Sequence, residues 1–388
     1  MIIEREIQKE LVAISGQYPV VTITGPRQSG KTTLARTTFP NKPYFNLENP
    51  DTRRQVELDP RTFLQANPDG MIIDEFQRYP EILSFIQGVV DSKRVAGQFI
   101  LTGSNLLSMI STISQSLAGR TSLLKLLPFT ISEANRFDND LGVNHLLTKG
   151  FYPGVYSNDL YPYKAYRNYF ETYIERDVGQ LSNLQNLHQF QLFVRLCAGR
   201  TGQLFNASAL GNEIGVSVHT IKHWLSILEA SYVVFVLQPW HSNLNKRIVK
   251  TPKIYFYDVG LASYLLGIEN ESQITSHPLK GALYENMIVV ELLKRRFNKG
   301  LDSNFYFYRD NHGNEVDLVQ EQGQYLNLFE IKSSMTFHPD FLKGLNYLRN
   351  LIPDRIQESL LIYSGEEEFK VLDNKVVNFQ RIGTTQSP

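Results

Sequence analysis

Val20-Val21-Thr22-Ile23-Thr24-Gly25-Pro26-Arg27-Gln28-Ser29-Gly30-Lys31-Thr32-Thr33 is the stretch on which the reading of this chain turns. Apolar and β-branched residues through Thr24 form a short strand, and KTTLARTTF from Lys31 forms an amphipathic helix. Between them lies Gly-x4-Gly-Lys-Thr, the pattern of a phosphate-binding loop in the strand–turn–helix context that its mechanism requires. The glycines let backbone N–H groups turn onto phosphate oxygens, and the helix N-terminus adds partial positive charge. Gly25, Pro26, Arg27, Gln28, Ser29, Gly30, Lys31, Thr32 and Thr33 are therefore the candidate nucleotide-binding residues. Lys31 is placed to reach the terminal phosphates of ATP, and the Thr32 hydroxyl to ligate Mg2+.

Downstream stretches fit the same chemistry. Met71-Ile72-Ile73-Asp74-Glu75 is an apolar strand ending in two carboxylates. Asp74 would hold Mg2+ through water, and Glu75 would polarise the attacking water, which hydrolysis needs and a kinase does not. The next strand ends in Thr102-Gly103-Ser104-Asn105, where Ser104 and Asn105 read as polar sensors between metal and water, as a helix N-cap, or as both. Gly119-Arg120 precedes the last strand of the unit. Arg120 reads either as an arginine finger for a neighbouring subunit or as a cation favoured by a helix C-terminus.

The surrounding pattern is α/β. Runs at 20–24, 44–48, 71–75, 99–103 and 121–129 read as strands, with helices between them. Such alternation predicts a mostly parallel sheet covered on both faces. The 388 residues balance 39 Lys+Arg against 39 Asp+Glu, which excludes a basic nucleic-acid coat and an acidic disordered protein. A single cysteine, Cys197, excludes a disulfide scaffold and a Cys-rich zinc site. No signal-peptide stretch follows the charged first residues and no run reaches membrane-spanning length, so a soluble cytoplasmic chain is expected.

GPRQSGKTTL, FNLENP, MIIDEFQRYPEIL, FILTGSN, SLAGR, LPFTISE, GFYPGVY, YIERDV and TPKIYFYDVGL occur in this order along the chain. Together they resemble a bacterial and archaeal family of AAA-type ATPases that carry a C-terminal domain of unknown function. The resemblance implies an ATPase core in which Lys31, Thr32, Asp74, Glu75, Ser104 or Asn105, and Arg120 take the roles above. It also implies that Gly150–Pro153 is similar to a lid motif that packs on adenine in related signalling ATPases. Here the motif reads GFYP, without the second glycine of many relatives.

Residues 205–237 read as helix, turn, helix and strand, with Ala207, Leu210, Ile214, Ile221, Trp224, Leu225 and Leu228 inward. This is the order of a winged helix. It leaves Ser217, His219, Thr220, Lys222 and His223 outward at the start of the second helix, where base edges or phosphates would lie. Residues 181–255 hold seven basic side chains against two acidic ones, and the stretch from Lys246 to Lys253, with Arg247 and Lys250, would form a basic wing along DNA phosphates. The alternative is a module used only for packing or oligomer contact.

In the C-terminal part, Glu285 falls in a helix, Asp317 in one strand, and Glu330 and Lys332 in the next. Strand parity puts Glu330 and Lys332 on one face. Asp317 and Glu330 could bind Mg2+, Lys332 could orient or deprotonate a water, and Glu285 could complete the site. Glu315 shares the parity of Asp317 and could replace it as ligand. The arrangement resembles the PD-(D/E)xK nuclease superfamily, although the proline before the first Asp is absent. An inactive nuclease-like fold stays open beside an active one.

The expected organisation is an AAA-type core at 1–137, a helical lid at 138–188, a winged helix at 189–252 and a nuclease-like α/β domain at 253–388. The expected function is ATP hydrolysis by a homo-oligomer, a hexamer favoured, with ATP at subunit interfaces and DNA as the object acted on. A nucleotide-controlled switch recruiting a protein partner, an ATP-gated endonuclease and a P-loop kinase are the alternatives.

Overall fold

The computed structural model describes residues 2–104, 113, 116–138, 142–178, 186–240 and 249–382. Its first unit is a parallel sheet of β1 (Val20–Thr24), β2 (Tyr44–Asn46), β3 (Met71–Asp74), β4 (Phe99–Gly103) and β5 (Thr121–Lys125), in the spatial order β2-β3-β4-β1-β5. β1, β3 and β4 are buried along their whole length. Alternate residues serve opposite faces. Val21, Ile23, Ile72 and Ile100 pack with Ile7, Leu11 and Leu34, while Met71, Ile73, Phe99 and Leu101 pack with Val56, Leu83 and Ile86. The order brings the carboxyl ends of β1, β3 and β4 to one edge, the place where open α/β sheets bind ligands.

Two helices not read from the sequence, Pro50–Leu58 and Pro60–Gln65, follow β2. Each starts with proline directly after a capping side chain, Asn49 and Asp59, a signal present in the Asn-Pro and Asp-Pro pairs. Next come short helices at Ile131–Ala134, Val143–Lys149, Pro153–Ser157 and Pro162–Tyr169, with a wider-turn continuation at Phe170–Val178. Tyr166, Tyr169, Phe170 and Tyr173 are buried, so this aromatic run packs helix on helix.

The middle of the chain is Leu187–Ala198, Ala207–Ile214 and Val218–Ala230, all helical. Gly215 takes φ +79° to end one helix, and Ser217 caps the next by accepting from Thr220 N–H. β6 (Val234–Leu237) follows and pairs antiparallel with β7 (Lys253–Phe256). KIYFYDV, which stands at the head of the expected C-terminal domain, supplies β7, and the hairpin is fastened by Phe235 stacked on Tyr255.

The C-terminal unit runs from helix Lys280–Asn298 through β8 (Phe305–Arg309), β9 (Glu315–Gln322), β10 (Tyr325–Lys332), helix Lys343–Leu351, β11 (Ile356–Tyr363), β12 (Phe369–Val371) and β13 (Asn374–Asn378). Its mixed sheet has the order β12-β13-β11-β10-β9-β8. The units share a core. Lys294 is buried, donates to Phe129 O at 2.6 Å, and lies 4.0 Å from the Phe151 ring centroid. Among the described residues no helix is long and apolar enough to cross a membrane.

Candidate functional site

The loop between β1 and helix Lys31–Thr38 has the backbone of a phosphate cradle. Gly30 takes φ +96° as it opens the helix, and a Cβ on Gly25 would lie 2.1 Å from the Leu126 carbonyl oxygen. Lys31 is buried, and its ammonium donates to Gly25 O at 3.0 Å and Pro26 O at 2.8 Å. Burial lowers its pKa to about 8, against the opposing pull of Glu75 and Asp74. The Ser29 hydroxyl oxygen is buried with no hydrogen-bond partner. An orphaned donor and a lysine folded onto loop carbonyls fit a site built for phosphate oxygens.

Asp74 stands at the end of β3 and accepts from Thr32 Oγ1 at 2.8 Å, from Tyr44 OH at 2.7 Å and from Thr102 Oγ1. The hydrogen-bond network therefore brings the expected Mg2+ pair, Thr32 and Asp74, together. Glu75 follows in the left-handed region at φ +55°. Its Oε2 accepts from Gln77 Nε2 and, at 3.4 Å, from Ser104 Oγ. Burial raises the Glu75 pKa, opposed by Lys31. Ser104 thus reaches the water-activating candidate, whereas Asn105 lies outside the described residues.

Sequence reasoning missed Tyr44, Thr102 and Gln77, and it missed Arg5. The Arg5 guanidinium donates to Ser29 O and Leu127 O, both at 2.8 Å, and pairs with Glu133 at 3.0 Å. A residue of the N-terminal segment thereby grips the loop from below. Only the polar character of Thr102 within an otherwise apolar strand end was visible beforehand. On the other side, Pro153 of the GFYP stretch lies 3.9 Å from where a Gly30 Cβ would stand. Arg27 lies 3.6 Å from Glu48 and 5.8 Å from the Tyr173 ring centroid.

Arg120 is at the opposite end of the sheet. β1 and β5 are parallel with Val20 opposite Thr121 and Thr24 opposite Lys125. A strand length of about 16 Å separates Arg120 from its own loop, which is more than an arginine side chain spans. Its guanidinium instead meets Asp91 at 2.6 and 2.9 Å on the surface.

In the helix–turn–helix, Ser217, His219, Lys222 and His223 are exposed and Thr220 is half-buried, its hydroxyl bonded to Ser217 at 2.8 Å. Lys250 is exposed, while Lys246 and Arg247 lie outside the described residues. Trp240 N–H donates to Phe307 O and Val249 N–H to Arg309 O, so both flanks of 241–248 run along β8. Lys253, expected at the end of the basic wing, is instead buried and paired with Glu285 and Glu315.

The C-terminal residues converge as strand parity requires. Lys332 meets Glu330 at 2.5 Å and Asp317 at 3.4 Å, and Asp317 also accepts from Ile331 N–H at 2.8 Å. Burial pushes the Glu330 carboxyl up to about 8, reinforced by Asp317 and opposed by Lys332. Glu330 Oε2 is buried without a partner, and Gly344 packs so closely on β9 that a Cβ there would lie 1.9 Å from the Glu315 carbonyl oxygen. These features fit a small oxygen-seeking cation held by Asp317 and Glu330. Glu285 is held by Lys253 Nζ at 3.1 Å and Tyr255 OH at 2.6 Å. Tyr255 went unread and Lys253 was read only as a wing cation, though a lysine and a tyrosine two apart in an apolar strand share one face. Among the described residues, no three His, Cys, Asp or Glu side chains form a ligand set for a metal ion.

The distant connections are specific. Thr24, directly before the loop, shares a hydrogen bond of 2.9 Å with Tyr232 OH, in the turn after the helix–turn–helix. Tyr232 takes φ +55°, costly for a bulky side chain.

Comparison with known proteins agrees with this architecture. A family model described as an AAA domain matches residues 17–135. Domains of unknown function, DUF8612 and DUF4143, match residues 141–272 and 280–382. A Walker-type ATPase of Pyrococcus abyssi, PABY2304, is a loose structural neighbour at 16% identity and TM-score 0.44, covering 68% of this chain and 96% of that one. Uncharacterized protein Rv2008c of Mycobacterium tuberculosis and Mb2031c of Mycobacterium bovis are each 30% identical over 392 residues, spanning 100% of this chain and 86% of theirs. With an AAA domain at its head and a full-length match at that identity, the chain belongs to the family of these two mycobacterial proteins.

Proposed function

We propose that this protein hydrolyses ATP to ADP and phosphate as a homo-oligomer, and that it acts on DNA. The observation that carries the hydrolytic reading is the Thr32–Asp74–Thr102 cluster beside Glu75 at the carboxyl edge of the sheet. Lys31 would leave its two loop carbonyls for the terminal phosphates. Thr32, with Asp74 behind it, would hold Mg2+, which supplies positive charge to the phosphates when bound. Glu75, fixed by Gln77 and Ser104, would take the proton of the attacking water. Arg120 lies too far from its own loop to help, which supports a finger acting on a neighbouring subunit's nucleotide and hence an oligomer. Pro153 beside Gly30 supports the lid reading of GFYP.

The DNA reading is supported by the exposed His219, Lys222 and His223 and by the Thr24–Tyr232 bond, which joins the phosphate loop to the helix–turn–helix. On this reading residues 187–256 act as a winged helix. The C-terminal module is nuclease-like, with a divalent cation on Asp317 and Glu330 and with Lys332 beside them to orient water. The deciding experiment is steady-state hydrolysis with and without duplex and branched DNA, with Lys31→Ala as the blank. DNA-stimulated, Lys31-dependent turnover is expected. Lys31-dependent turnover that ignores DNA would favour a nucleotide-controlled switch with a protein partner.

A further inference from the structure

The C-terminal cluster holds more charge than Asp317, Glu330 and Lys332 account for. Glu285 from helix Lys280–Asn298 and Glu315 from β9 reach the same spot, and the Lys253 ammonium stands between them at 3.1 and 2.6 Å. Lys253 is 2% exposed and comes from β7, outside the C-terminal sheet. Both Glu285 and Glu315 are spent on cations and donors of the chain itself. Glu285 Oε1 takes Lys253 and the Tyr255 hydroxyl, and Glu315 takes Lys253 on Oε1 and Arg309, at 3.4 Å, on Oε2. Asp317 and Glu330 share Lys332, but Glu330 Oε2 differs from the rest in being buried with no partner at all. Four carboxylates set against the ammoniums of Lys253 and Lys332 and the guanidinium of Arg309 leave one excess negative charge, on the side of Asp317 and Glu330.

We propose that Lys253 is a built-in cation, filling with its ammonium the subsite between Glu285 and Glu315 that a second divalent ion would take, so that the cluster accepts one such ion, on Asp317 and Glu330. This rests on the metal-site reading of the C-terminal module. It also removes Glu315 as an alternative ligand. A buried ammonium between two carboxylates is displaced only at the cost of leaving it unpaired in a dry interior, so a metal ion does not exchange freely with it.

The test is Mn2+ binding to the nucleotide-free full chain, counted by electron paramagnetic resonance, with ions that survive in Asp317→Asn subtracted as background. The wild type is expected to bind one ion above that background. Glu315→Gln should keep it with affinity changed by less than about threefold, whereas Lys253→Met should add a second ion or tighten binding by about tenfold or more. Loss of the ion in Glu315→Gln, or a Lys253→Met protein that binds as the wild type does, overturns the proposal. Glu315 is partly exposed, so its variant carries the test if Lys253→Met does not fold. If the wild type binds no ion, the metal-site reading falls and Lys253→Met decides the proposal separately: a gained ion supports it, and no ion overturns it.

Discussion

ATP affinity should depend on pH through Lys31. Burial in the loop brings its pKa from 10.5 to about 8, so the ammonium is disfavoured there by roughly 3 kcal/mol relative to water. Polyphosphate prefers the charged lysine and raises its pKa in the complex. A group whose pKa rises on binding contributes fully below the free pKa and loses its contribution above it. Affinity should therefore be flat below about pH 7.5, then fall towards tenfold per pH unit, about 25-fold in all by about pH 9.5. The assay is a titration with a fluorescent ATP analogue and Mg2+ at fixed ionic strength. Lys31→Arg is the control, because a guanidinium does not titrate in this range. A wild type that binds equally across that range would refute the reasoning. So would a Lys31→Arg protein with the same slope, since the proton would then belong to another group.

Arg120→Ala should keep ATP binding and lose hydrolysis by about a thousandfold in assembled protein; a dilute monomer that turns over at the full rate would contradict a finger in trans. Replacing Lys246, Arg247 and Lys250 together should weaken binding to duplex DNA and reduce its log–log salt slope by up to about three, measured by fluorescence anisotropy; binding that ignores salt from the outset would remove the basic wing. Tyr232→Phe deletes the bond to Thr24 and should cost about 1 kcal/mol of stability in a denaturant titration. It should also diminish the response of hydrolysis to DNA while leaving the DNA-free rate in place; an unchanged response would dismiss that bond as a link.

Much of the site was legible because it is local. The strand–loop–helix order of residues 20–38 dictates the loop backbone, Asp74 and Glu75 end an apolar run, and a spacing of two places Glu330 and Lys332 on one strand face. Periodicity also foretold the helix–turn–helix, since Leu210, Ile214, Ile221, Trp224 and Leu228 are buried, with Ala207 and Leu225 half-buried against the same core. The pairing of β7 was not legible in the same way. A short run such as Lys253–Phe256 reports a strand but not which strand it will pair with, and its partner β6 lies across an intervening segment.

The amino-acid sequence by itself determined the chemistry available at each strand end, because backbone geometry fixes which neighbouring side chains share a face. Only the tertiary structure decided the pairings between distant stretches: Arg5 under Ser29, Tyr44 and Thr102 on Asp74, Tyr232 on Thr24, and Lys253 between Glu285 and Glu315. It also decided that Arg120 stands a full strand from its own loop. These depend on sheet order and register, which are set by how whole faces bury against one another rather than by the spacing of residues along the chain.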